Sequence, residues 1–176
     1  MIYLMKKKDK VPNIVRDRAI AKELLQMGLR EILSNEKFVP NIKTQEGGKP
    51  YLANSELHFN ISHSQQYVLC AISDEEVGID IQFHKKADVD TVARRMMSAS
   101  EWQEYQDTTV KAEVFYDLWA KKESFLKFTG TGLNTDLRLV DIDACVQEIA
   151  VDDNYSCMLC TKEHKIWTLV PVSVKL

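Results

Sequence analysis

Apolar and polar positions fall into two periods along the chain. Residues 2–5, IYLM, read as a short strand. Over residues 17–33, Ile20, Leu24, Leu25, Leu29, Ile32 and Leu33 recur at three- and four-residue spacing, which predicts a helix. Residues 34–56 are polar, carry Pro40, Gly47, Gly48 and Pro50, and are expected to be largely loop. His58–Ser64 and residues 67–72 read as strands on either side of a polar turn, and a further turn at 74–76 leads into VGIDIQ at 77–82. Three strands in succession predict a meander. Helical spacing predicts one or two helices over 88–106 and a longer one over 113–128, with Phe115, Leu118, Trp119, Phe125 and Leu126 on one side. Glu123 lies at the rim of that side, in a stripe with Tyr116, Ala120 and Lys127. Beyond Gly130, Thr131 and Gly132, three or four strands are expected, ending in IWTLVPVSV.

With 176 residues, 45% of them hydrophobic, the chain is long enough for one well-cored domain or two small lobes that share a core. A net charge of −3 supplies no global basic field, which weighs against nucleic acid as a partner. No apolar run approaches the roughly twenty residues that cross a bilayer, and MIYLM is followed by lysines instead of a signal-peptide core. The expectation is a cytoplasmic protein with no membrane partner. Cys70, Cys145, Cys157 and Cys160 are then expected to be free thiols. Cys157 and Cys160 form a CxxC, but on a strand residues three apart point to opposite faces, which disfavours a zinc or redox pair.

Two polar signatures carry the candidate chemistry. In VGIDIQ, Asp80 and Gln82 project together, about 7 Å apart, opposite Val77, Ile79 and Ile81, so both can reach one hard cation. Read alone, this is also an ordinary half-exposed strand. In WAKKESFLKFTGTGL at 119–133, Glu123 and Lys127 stand one helical turn apart, a spacing that most often makes a solvated ion pair. The same stretch runs on into Gly130, Thr131 and Gly132, whose backbone amides can approach a phosphate closely. His63, flanked by Ser62 and Ser64 in FNISHS, and Lys49 with Pro50 in GKP are equally readable as structural residues.

The order GKP, FNISHS, VGIDI and FYDLWAKKESFLKFTGTGL, over roughly residues 16–140, resembles the 4′-phosphopantetheinyl transferase superfamily, in its monomeric two-lobed type that activates surfactin synthetase and related synthases. The resemblance implies an α+β fold of two similar lobes packed as a pseudo-dimer, divided at 1–74 and 75–176. It implies transfer of 4′-phosphopantetheine from coenzyme A to a serine of an apo acyl or peptidyl carrier protein, with Mg²⁺ on the pyrophosphate. Asp80, Gln82 and Glu123 would be metal ligands, Gln82 standing where many members have glutamate. Glu123 or Glu101, less so Glu104, would take the serine proton, and Lys127 would meet the pyrophosphate. Arg18, and less surely Arg16, with Lys49, Pro50, Ser62 and His63 would hold the nucleotide. Fewer residues precede GKP than in members of that type, and Lys6, Lys7, Lys8 and Lys10 read either as substitutes for trimmed contacts or as a solvated tail. The carrier would dock on Lys85, Lys86, Arg94 and Arg95, with Met96 or Met97 as apolar contacts. Two rival readings keep the same residues: a coenzyme A-binding module of low turnover, and a metal-dependent phosphohydrolase.

Overall fold

The structure, a computed structural model, describes residues 1–8, 13–132, 135–142 and 144–173. Lys10 and Leu133 lie outside the described residues. The chain runs through β1 (Ile2–Lys6), α1 (Ile14–Ile32), β2 (Ile42–Thr44), β3 (Pro50–Leu52), β4 (His58–Ser64), β5 (Tyr67–Ser73) and β6 (Val77–Phe83). It continues with α2 (Asp90–Met96), α3 (Ala99–Asp107), α4 (Lys111–Thr129), a 3₁₀ turn (Leu137–Leu139), β7 (Cys145–Glu148), β8 (Tyr155–Thr161) and β9 (Leu169–Val172).

Two sheets, ordered β4-β5-β1-β9 and β6-β8-β7, pack face to face, which makes the fold α+β with two lobes. The side chains of β5 go alternately to two cores, as strand geometry requires. Val68, Cys70 and Ile72 meet Ile20, Leu24, Leu25 and Leu29 of α1. Tyr67, Leu69 and Ala71 meet Val77, Ile79 and Ile81 of β6 with Cys157 and Leu159 of β8 between the sheets. Each lobe thus backs its sheet with one 19-residue helix, α1 or α4. β9, from the far end of the chain, runs parallel to β1, Ile2 opposite Leu169, and completes the sheet of β4, β5 and β1.

Three expectations change. Residues 34–56 contain a hairpin, β2 with β3, turned at Gly48 with φ of 86°. Its strands are short and largely exposed, so no apolar alternation marks them. α4 buries Phe115, Tyr116, Ala120, Lys122, Glu123, Ser124 and Leu126, so polar residues share its covered side, while Leu118, Trp119 and Phe125 stay partly exposed. Met96 and Met97 are core residues packed with Tyr105, Phe115 and Tyr116, so neither is open to a docking partner. Lys85, Lys86, Arg94 and Arg95 are exposed. The cysteines are free, and burial pushes the Cys157 thiol far above its ordinary pKa. Among the described residues no helix is long and apolar enough to cross a membrane.

Candidate active site

The site begins with a glycine. Val77, Ile79 and Ile81 fill the core between the sheets, which turns Gly78, Asp80 and Gln82 toward α4. A Cβ on Gly78 would lie 2.0 Å from the Ser124 carbonyl oxygen and 2.4 Å from the Phe128 nitrogen, so only glycine lets the helix backbone sit on the strand. That close approach brings Glu123 and Lys127 beside Asp80. Asp80 is therefore 3% exposed rather than half-exposed.

The other edge of β6 faces β4, and side chains take the place of a backbone ladder there. Asn60 Oδ1 accepts the Ile79 N–H at 3.0 Å, Ser62 Oγ the Ile81 N–H at 3.1 Å, and Ser64 Oγ the Phe83 N–H at 3.0 Å. The period of two in N-x-S-x-S matches the N–H groups of β6 that are turned away from β8. Ser62 does more. Its hydroxyl donates to Asp80 Oδ1 at 2.9 Å and accepts from Lys127 Nζ at 3.1 Å.

Asp80 is held on both oxygens. Oδ1 also accepts Lys127 Nζ at 2.6 Å, and Oδ2 accepts Gln82 Nε2 at 2.8 Å. Lys127 completes its set on the Ile79 carbonyl at 3.0 Å. Glu123, 8% exposed, is different: its Oε1 is buried with no hydrogen-bond partner. Burial first, and the charge of Asp80 second, raise its carboxyl above the ordinary carboxylate value against the opposing pull of Lys127. Two carboxylates that repel each other, with one orphan oxygen and one lone pair left on Asp80 Oδ2, are a donor set that a hard cation satisfies. Gln82 can add a neutral oxygen if its amide turns over. Among the described residues no group of three His, Cys, Asp or Glu side chains converges as a metal site, so water or substrate oxygens would have to complete a coordination shell.

Glu123 and Lys127 line a cavity of about 390 Å³ with Lys49, Pro50, Asn60, Gly130 and others. Lys49 is buried, and its ammonium meets Glu76 Oε2 at 2.5 Å and the Phe128 carbonyl at 2.7 Å. The remaining nucleotide candidates lie on the first lobe. His63 Nδ1 is 3.8 Å from Asp17 Oδ2, and burial pulls its imidazole below the ordinary histidine value. Asp17 is itself buried in an ion pair with Lys7 at 2.5 Å, which removes Lys7 from the basic tail. Lys6 reaches Asp152 at 3.5 Å. Arg18, next to Asp17 on α1, is exposed.

Glu101 stands apart from this group. It is the third residue of α3 and closes a capping box with Ser98, where its Oε2 accepts the Ser98 N–H at 2.7 Å and Lys122 Nζ at 2.7 Å. With Glu104 it lines a different cavity, bounded by Asp117, Lys121 and Glu148. Sequence reasoning missed Asn60 and Ser64 as a seam, Asp17 and Glu76 as counter-charges, and Lys122 as a buried cation. A glycine inside an alternating strand was the available signal, since it announces a close backbone approach.

Comparison with known proteins adds an independent line. The profile of the 4′-phosphopantetheinyl transferase superfamily matches residues 76–171. A 4′-phosphopantetheinyl transferase of Bacillus subtilis is 42% identical over 96 residues, 53% of this chain and 42% of that protein. 4′-Phosphopantetheinyl transferase Sfp of Bacillus subtilis (strain 168) is 40% identical over 97 residues, 53% of this chain and 43% of Sfp. 4′-Phosphopantetheinyl transferase psf-1 of Bacillus pumilus is 34% identical over 141 residues, 69% of this chain and 60% of that protein. The matched stretch thus spans about half the length of these relatives.

Proposed function

The chain belongs to the 4′-phosphopantetheinyl transferase superfamily, and from that premise we propose that it transfers 4′-phosphopantetheine from coenzyme A to a serine hydroxyl of an apo carrier protein. The observation that carries this reading is the partnerless buried oxygen of Glu123, beside Asp80 and on the same cavity wall as Lys127. Asp80 and Glu123, with Gln82 at the margin, would hold Mg²⁺, which when bound neutralises charge on the pyrophosphate. Lys127 would receive the negative charge that moves onto the leaving bisphosphate as the phosphorus–oxygen bond breaks. Of the two candidate bases for the serine proton, Glu123 lies on the cavity wall with Lys127, whereas Glu101 is committed to Lys122 and its own helix start. Pro50, Ser62, His63 and Arg18 would frame the nucleotide, and the exposed basic run at Lys85, Lys86, Arg94 and Arg95 would meet an acidic carrier. The protein would act as a monomer in the cytoplasm, where coenzyme A and its carrier are both available.

The test is incubation of the chain with coenzyme A, Mg²⁺ and a panel of apo carrier proteins, read by mass spectrometry. A carrier that gains one phosphopantetheine, with equimolar adenosine 3′,5′-bisphosphate, is the expected result. Coenzyme A binding without any modified carrier would replace the enzyme with a binding module. Bisphosphate released in the absence of carrier would make it a hydrolase.

A further inference from the structure

Lys49 stands in the glycine-containing turn that walls the cavity, where a phosphate ligand is expected; like Lys127 its ammonium has three protein acceptors, but its side chain is 7% exposed where that of Lys127 is 28% exposed. A lysine has three N–H donors. Those of Lys49 have three protein acceptors: Glu76 Oε2 at 2.5 Å, the Phe128 carbonyl at 2.7 Å and the Val77 carbonyl at 3.4 Å. Its side chain is 7% exposed, so the charge is desolvated and depends on those partners.

The three acceptors belong to the elements that bear the site. Glu76 immediately precedes β6 and Val77 opens it, three residues before Asp80. Phe128 follows Lys127 directly and lies in the last turn of α4, where carbonyls lack helical partners and the helix dipole favours a cation. The turn that carries Lys49 is fixed in its own right: Gln45 N–H bonds the Lys49 carbonyl at 2.9 Å and Gly48 N–H the Gln45 carbonyl at 2.9 Å. It also sits on the helix end, since a Cβ on Gly47 would lie 2.5 Å from the Gly130 carbonyl oxygen. Gly130 itself adopts a φ of 76° as the cap of α4.

We infer that Lys49 is a positioning residue and not a phosphate ligand: it clamps the start of β6 to the end of α4, and so sets the spacing of Asp80 against Glu123 and Lys127. Glu76 is the other jaw of the clamp. The inference rests on the transferase reading for its kinetic readout only. A displacement of either element by a fraction of an ångström acts on the chemical step and leaves the nucleotide wall in place.

The discriminating experiment uses Lys49→Met, Glu76→Ala and the double variant of the full chain. Glu76 is 41% exposed at its side chain, so its removal leaves a foldable protein even if Lys49→Met does not. Each single change should lower kcat about tenfold with the KM for coenzyme A within about twofold, and the double variant should be no worse than Lys49→Met. Amide exchange over residues 124–130 should speed up about tenfold in both single variants. A raised KM with unchanged kcat in Lys49→Met would overturn the inference, as would a lowered KM in Glu76→Ala, because freeing a phosphate ligand from a competing carboxylate tightens the cofactor. If the wild type modifies no carrier, the transferase reading fails on its own. The exchange data then decide the clamp: faster exchange upholds it, and unchanged exchange removes it.

Discussion

Lys122 and Lys127 lie on the same helix, and each is ion-paired at almost the same distance, 2.7 Å to Glu101 and 2.6 Å to Asp80. Each also bonds backbone carbonyls, Lys122 those of Met96 and Leu137, Lys127 that of Ile79. Partners and distances do not tell them apart. Access does: the Lys122 side chain is 1% exposed, whereas that of Lys127 is 28% exposed and lines a cavity. Their neighbours differ as well. Glu101 has its helix start to bond, while the Glu123 oxygen near Lys127 has no partner. A buried cation with closed surroundings holds elements together; one with an open side and an unsatisfied neighbour is equipped to hold a ligand.

The contrast breaks most visibly at Lys127. Lys127→Ala should slow transfer about 100-fold while coenzyme A KM moves less than about threefold, because the cation matters most as charge reaches the leaving group. Steady-state kinetics at saturating carrier would show this, and a KM-dominated loss would move Lys127 to ground-state binding. Lys122→Met should do the opposite. It should lower unfolding free energy by about 3 kcal/mol, with kcat of the folded protein unchanged well below its Tm. Denaturant titration beside the transfer assay tests the pair, and a kcat loss in Lys122→Met would erase the distinction between the two lysines.

Gly78→Ala sharpens the contrast by moving the helix that bears both lysines. The added methyl meets the backbone of α4, so about 2 kcal/mol of stability should be lost, and kcat should fall with it. A fall in Tm with intact kcat would mean that the spacing of α4 from β6 tolerates change.

Glu123→Gln tests the unsatisfied side. Its carboxyl is raised by burial and by Asp80, so folding favours the protonated form, and the stability linked to it is lost as pH rises from the ordinary carboxylate value through the raised one. With the charge removed, the metal-free protein should gain about 1 kcal/mol at neutral pH, about 3 °C in Tm, and that gain should shrink on acidification. Calorimetry in chelator across pH 4 to about 8 reads both trends. An unchanged Tm would mean that the lone oxygen is satisfied by solvent.

The smallest effect is expected at Gln82. Gln82→Glu replaces the amide donor to Asp80 with a third carboxylate, so the Mg²⁺ concentration for half-maximal rate should drop about threefold. A titration that leaves the midpoint in place would take Gln82 out of the metal's reach.

How much of the fold and site was legible varies with the range of the interaction. Strands β4 and β6 and helix α4 could be read from the spacing of their apolar residues, and β5, which serves a core on each face, from an unbroken apolar run between two turns. The hairpin at 42–52 could not, since exposed short strands need no alternation. Periodicity separated Asp80 from Ile79 and Ile81 but did not say what covers the polar face; that depends on the contact of Gly78 with a helix 46 residues further on, at Ser124. The same limit hid the partners of Lys49, since Glu76 is 27 residues away and Phe128 is 79. Lys122 looked like one basic residue among several, and only the packing of α3 and the 3₁₀ turn against α4 reveals its burial.

The seam between β4 and β6 has a consequence for solubility. An edge strand offers unpaired N–H and C=O groups to any other chain, and each of these two strands ends its sheet on that side. Turned toward β4, with Asn60, Ser62 and Ser64 filling the N–H groups of Ile79, Ile81 and Phe83, the edge of β6 is closed to other chains. Because the bonding side chains recur every second residue, a slip of one position would set Ile61 and His63 against those amides, so the same three residues also fix the register. A molecule that must keep a water-accessible cavity at the junction of its lobes thereby avoids leaving that junction open to strand exchange between copies.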